Sequence, residues 1–226
     1  MMAADWALSP QAAVARQREL ASQVVQCDEV GEPRWVAGID VGFPQRGRVT
    51  RAAAVLMCVD TLETVACATV ELPTRFPYVP GLLSFREAPA MLQALAQLPH
   101  APDLLLCDGH GVAHPRRFGS ACHVGVITAI PCIGVGKSRL VGDDEAPGPM
   151  RGDRSVLRHR DEVIGVALRT RSGVKPVYVS VGHRVSLAGA VDWVLRLAPR
   201  FRLPEPIRRA NRLASNRAAG GVAEGG

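Results

Sequence analysis

The sequence predicts an α/β fold, a mixed central sheet flanked by helices. Three observations carry this. Strand-like apolar runs at 35–41, 52–59 and 64–72 follow one another with short connections, the pattern of an antiparallel meander. Helix-like and strand-like segments then alternate from residue 84 to residue 136. The run Leu104–Leu105–Leu106–Cys107 ends on Asp108, with Gly109 and Gly111 opening the loop beyond it. Such a loop, past the carboxyl end of a buried strand, is where α/β sheets place their ligands.

Taken in order, Ser9 as N-cap and Pro10 at the first helical position open a helix over 9–26, with Leu20 and Val24 in its apolar stripe. The first strand, 35–41, carries Asp40 between apolar neighbours. A buried carboxylate is costly unless it is paired, capped or bound to a cation. Gly42 and the polar residues 45–48 make a hairpin. Two prolines bracket Tyr78 in Phe76–Pro77–Tyr78–Val79–Pro80–Gly81, a stiff extended loop. It either presents the ring for stacking or tucks it under.

A helix follows over 84–98, where Ser84-x-x-Glu87 reads as a capping box. Glu87 thus has a local structural role as well as a candidate place in a site. After the Asp108 strand come a helix at 119–129 and a strand at 130–136. That strand leads into Gly136–Lys137–Ser138. A phosphate-binding G-x-x-x-x-G-K-S loop is excluded, because its first glycine falls at Pro131. Residues 141–154 form a surface loop, rich in Gly, Pro and Asp. Strands at 163–168 and 177–181 follow, the second leading to Gly182–His183–Arg184. Ser186 caps a helix to 197, and 204–217 is a basic helix. Residues 1–217 make one domain, and the glycine-rich tail 218–226 is expected to be disordered.

The composition bounds the function. The chain of 226 residues is 47% hydrophobic, which argues against disorder. No apolar run approaches the roughly 18 residues of a membrane span. The N-terminus lacks a basic stretch followed by an apolar one, so the protein is expected in the cytoplasm, off the membrane and as a monomer. Six cysteines without a C-x-x-C pair are expected to be small buried hydrophobes, not zinc ligands.

The net charge of +6 is unevenly placed. Residues 1–150 hold 12 Lys and Arg against 15 Asp and Glu, whereas residues 151–226 hold 15 against 6. A basic half suits a polyanion such as nucleic acid, or is a solvated arginine-rich surface. Only Lys137 and Lys175 are lysines, against 25 arginines, so Lys137 at a strand end marks a place for a compact point charge. Asp108, His110, His114, Arg116 and Arg117 together suggest a metal ion facing a phosphate, although Asp-Gly is also common turn chemistry.

Three meandering strands, then helix, strand, helix and strand, have the shape of a ribonuclease H-like fold. Asp40, Glu87 and Asp108 fall where that fold puts its metal ligands. The segments AGIDVGF, PYVPGLLSFRE, DGHGVAHPRRFG, IGVGKSRL, VGHRVS and RLPEPIRRAN resemble the endonuclease V family of deoxyinosine-directed repair nucleases, over about residues 35 to 212.

The resemblance implies Mg²⁺-dependent hydrolysis of the second phosphodiester bond 3′ to a deoxyinosine, with Mn²⁺ able to substitute, leaving 3′-hydroxyl and 5′-phosphate ends. It implies Asp40 and Asp108 as metal ligands, Glu87 completing the acidic site and Lys137 stabilising charge. Tyr78 would be the wedge, with Pro80 beside it. Gly81, Leu83 and Gly109 would line the base pocket, and His114 and Arg116 would contact the phosphate backbone. Asn211 departs from the family, which usually has Asp or His there. Its role and that of His183 are left open. Two alternatives stand beside this reading: an inosine-specific endoribonuclease, and a module that binds inosine or distorted duplex without cutting.

Overall fold

A computed structural model describes residues 6–215, so the expected tail at 218–226 lies outside the described residues. The elements are α1 (Pro10–Ala21), β1 (Trp35–Gly42), a short turn α2 (Pro44–Gly47), β2 (Val49–Cys58) and β3 (Thr64–Pro73). Next come α3 (Leu83–Ala96), β4 (Leu104–Asp108), α4 (Ser120–Thr128) and β5 (Cys132–Gly136). The chain finishes with β6 (Arg154–His159), β7 (Glu162–Leu168), β8 (Val177–His183), α5 (Leu187–Leu197) and α6 (Glu205–Ala214). They build one eight-stranded sheet in the order β3-β2-β1-β4-β5-β8-β7-β6. The fold is ribonuclease H-like: the meander β1–β2–β3 is antiparallel, and β4 and β5 run parallel to β1.

The central strands are buried on both faces, as parallel strands flanked by helices must be. Alternation splits β1 and β4 between two cores. Ala37, Ile39, Leu105 and Cys107 pack under α3 through Ala88, Met91 and Ala94. Val36, Leu104 and Leu106 point the other way, toward Val191, Val194, Ile207 and Ala210 of α5 and α6.

Two glycines decide how closely α6 sits. A Cβ at Gly38 would collide with the Pro206 carbonyl, and one at Gly42 with the Ala214 carbonyl oxygen. Four strand residues span about 13 Å and eight helical residues about 12 Å. The helix therefore lies along the strand, backbone against backbone, with Asp40 midway on the same face.

One strand was not foreseen, and two expectations are corrected. The strand β6 stands where the sequence offered no strand signal: it is an edge strand with Arg154 and Arg158 turned to solvent, and only Leu157 is fully buried. Edge strands carry such charges to prevent further pairing, and this erases the apolar signature. The capping box is not formed. Ser84 lies inside α3, which starts at Leu83 without a side-chain cap, and its hydroxyl meets His123 Nδ1 at 3.0 Å. Finally, only Cys107, Cys122 and Cys132 are buried, while Cys27 and Cys67 are exposed.

Candidate active site

Parallel pairing of Ile39 with Cys107 puts Asp40 and Asp108 next to each other at the carboxyl ends of β1 and β4. The two share a face of the sheet. Asp40 is buried; its Oδ1 accepts the Val41 amide at 2.8 Å and its Oδ2 accepts from Asn211 Nδ2 at 2.6 Å. Glu87 reaches them from the first turns of α3, and its Oε2 accepts from Ser120 Oγ at 2.6 Å. Ser120 opens α4, directly across from Gly109.

The electrostatics are those of a crowded acid cluster. Burial first, then Asp40 and Asp108, push the Glu87 carboxyl up to about 7, against the opposing Ser120 hydrogen bond. Burial and the Asp40 charge likewise push Asp108 to about 7, although Lys137 pulls the other way. Lys137 Nζ forms an ion pair with Asp108 Oδ2, yet that oxygen makes no directed hydrogen bond. The Lys137 side chain remains 40% exposed against 9% for Asp108, so the ammonium faces the open side of the site.

Arg202 steadies this lysine from behind. Its Nη2 donates to the Lys137 carbonyl at 2.6 Å and to the Pro176 carbonyl at 2.8 Å, and its Nε to the Lys175 carbonyl at 2.9 Å. Sequence reasoning did not single out Arg202 or Ser120. Arg202 does open the RLPEPIRRAN segment, which was its one visible signal.

The metal, phosphate and base candidates after Asp108 do not stay together. His114 is buried and its Nε2 meets the Gly81 carbonyl at 3.0 Å. Arg116 Nη2 donates to the same carbonyl at 2.7 Å. Both are engaged with the backbone of the preceding loop, and Arg116 stays partly exposed. Arg117 pairs with Glu162 at 2.6 Å. Burial holds His110 and His114 down to about 4, so both imidazoles are neutral. His183 sits at the far end of the sheet, opposite Cys132 at the start of β5, with Nδ1 accepting the Val25 amide at 3.3 Å; it is not part of the acid cluster.

Tyr78 is 69% exposed, so the ring is presented and not tucked under. Pro80 is exposed beside it, Gly81 takes φ +77°, and Leu83 begins α3. Gly109, at φ +154°, donates its amide to the Val135 carbonyl at 3.2 Å. A cavity of about 300 Å³ lined by Trp6, Phe76, Phe85 and Arg86 lies near this loop, but none of the acids borders it.

A family model described as Endonuclease V matches residues 18–212. The chain belongs to the endonuclease V family. Endonuclease V of Azotobacter vinelandii is 52% identical over 214 residues, which is 95% of this chain and 97% of that one. The crystal structure of the Streptomyces avermitilis enzyme superposes with a TM-score of 0.90 at 46% identity, covering 96% of both chains. That of Ciona intestinalis, solved with DNA containing an inosine followed by a ribo-adenosine, superposes at 0.79 with 26% identity, covering 92% of this chain and 98% of its own. Membership makes the protein a DNA repair deoxyribonuclease, a deoxyinosine 3′ endonuclease. Among the described residues, no helix is long and apolar enough to cross a membrane.

Proposed function

We propose that this endonuclease V hydrolyses the second phosphodiester bond 3′ to a deoxyinosine, as a cytoplasmic monomer, using Mg²⁺ held by Asp40 and Asp108. The carrying observation is the juxtaposition of Asp40, Asp108 and Lys137 toward the ends of three adjacent strands, with Glu87 reaching them from α3. The donor set suits the ion. Among the described residues, no three His, Cys, Asp or Glu side chains form a ready metal cage. Mg²⁺ does not need one, since it binds through one or two carboxylates and keeps several waters. Glu87 and Asp108, two carboxyls whose burial beside Asp40 resists their ionising together, are what a bound divalent cation would relieve. Bound there, Mg²⁺ or Mn²⁺ would supply charge neutralisation at the phosphate and an activated water.

The chain's own groups do the rest. Lys137, exposed toward the substrate side and held by Arg202, balances the charge that builds on the phosphate oxygens. Glu87, with Oε2 tied to Ser120, keeps Oε1 for a water. Tyr78 takes the place of the base drawn from the stack, and Pro80 stiffens its loop. Gly81, Leu83 and Gly109 line the pocket with backbone, which admits hypoxanthine and excludes guanine by a clash with its 2-amino group. Asn211 fixes Asp40 by a hydrogen bond without adding charge.

The test is nicking of a labelled duplex bearing a single deoxyinosine, in Mg²⁺ and in EDTA, with an inosine-containing RNA duplex alongside. Metal-dependent nicking one nucleotide beyond the lesion is expected. Cleavage of the RNA alone would assign an endoribonuclease, and tight binding without cleavage a recognition module.

A further inference from the structure

The helix α1 lies far from the acids in sequence and buries only Ala13, Gln17 and Leu20 along its stripe. A fully buried glutamine in the middle of that stripe must have its amide satisfied. Gln17 Nε2 donates to the Phe118 carbonyl at 2.7 Å and to the Gly81 carbonyl at 3.1 Å, while Oε1 accepts from Arg116 Nε. The Gly81 carbonyl also receives Arg116 Nη2 at 2.7 Å and faces His114 Nε2 at 3.0 Å. His114 Nδ1 accepts the Arg116 amide at 3.1 Å, which leaves the proton of the neutral ring on Nε2. Three side-chain donors thus converge on one oxygen that has two lone pairs.

Gly81 is built for this. Its φ of +77° is a glycine conformation, and a Cβ there would stand 2.8 Å from Arg116 Nη2. It is also the joint between two functional parts. Tyr78 lies three residues before it, and α3, which carries Glu87, begins two residues after it.

We propose that Gln17 is a positioning residue for lesion recognition, acting with Arg116 and His114 through the Gly81 carbonyl to set the Tyr78 loop. This rests on the proposed function of the same site, since it assumes that the loop reads the lesion. Gln17 touches neither the acids nor the exposed face. Its effect is therefore expected in discrimination, which binding reads apart from cleavage.

The experiment compares affinity for an inosine duplex with affinity for the matching undamaged duplex, by fluorescence anisotropy in EDTA. The proteins are the full-length chain, Gln17→Met, Tyr78→Ala and the double variant, with thermal melting to confirm folding. Gln17→Met is expected to lower the affinity ratio about tenfold, and the double variant to fall no further than Tyr78→Ala, because both act on one loop. Additive losses, or an unchanged ratio in Gln17→Met, would overturn the proposal. Should Gln17→Met not fold, Arg116→Lys, which cannot bridge Gln17 and Gly81 through two nitrogens, reads the same carbonyl from the other side by the same criterion. The ratio is measured without cleavage. A wild-type chain that discriminates but never nicks would therefore remove only the hydrolytic reading, whereas one that binds both duplexes equally removes this proposal.

Discussion

At the ends of β1 and β4 negative charge is in excess; around the Gly81 carbonyl, six residues before Glu87, donors are in excess. The acid cluster holds three carboxyls for one paired ammonium, and two of the three are driven toward protonation near neutrality. The Gly81 clamp brings an amide, a guanidinium and an imidazole to one oxygen, with every partner inside the protein. The first arrangement leaves its negative charge only partly balanced. The second is complete already and so serves to hold backbone still. His114 and Arg116 take part in the second arrangement.

The largest expected effect breaks the acid side of this contrast. Asp108→Asn or Asp40→Ala should lower nicking of the inosine duplex by about 10³-fold or more, while binding to that duplex persists. Full residual nicking would remove the altered carboxylate from the site. Lys137→Met comes next, with a loss of about 10²-fold or more in the cleavage step and little change in binding. Single-turnover rates would show it, and an equal fall in affinity would make Lys137 a binding group.

Tyr78→Ala probes the other side. It should weaken lesion binding by about 1–3 kcal/mol, the range for stacking on an aromatic ring. Equal affinities for the two proteins would return Tyr78 to the status of a surface residue.

A subtler effect concerns pH in the metal-free protein. Glu87 and Asp108 are raised to about 7, above their ordinary 4.5 and 3.8. Over that interval the folded chain holds more protons than the unfolded one, so these groups lower stability as pH rises toward and through 7. His110 and His114, depressed to about 4, act oppositely, and their stabilising effect is lost on acidification below about 6.5. In EDTA the melting temperature should therefore fall between about pH 6.5 and pH 8, where the histidines no longer contribute. Asp108→Asn should flatten that fall, and a level profile in the wild type would show that the carboxyls ionise normally. Smallest of all, Asn211→Asp should change Mn²⁺ affinity, read by titration calorimetry, by about tenfold in favour of binding. No change would make the residue at that place indifferent to the ion.

Much of this was legible in the chain. The meander, the alternation after it and the two strand-borne aspartates follow from apolar runs interrupted by an acid, because burial forces such a residue to find a partner. Lys137 stood out against 25 arginines. The clamp was not legible. Gln17 meets residues 64 and 101 positions away, and no local pattern encodes a contact of that span. The Ser84–Glu87 spacing misled for the same reason: the cap is a local rule, and His123 and Ser120, brought in by α4, outcompeted it. Proximity to Asp108 in sequence grouped His114 and Arg116 with the acids, but their partners turned out to be on the Gly81 loop.

The seating of α6 on Gly38 and Gly42 has a consequence in time. During synthesis Asp40, Glu87, Asp108 and Lys137 all emerge before Glu205, so the acids exist while one face of β1 still lies bare. Until α6 settles along that strand, Asp40 has its neighbour's amide but lacks the Asn211 hydrogen bond. The proposed centre is thus finished by α6, the last of the described helices. A chain interrupted before that helix carries all three acids, but Asp40 then sits on a strand whose covering face is missing.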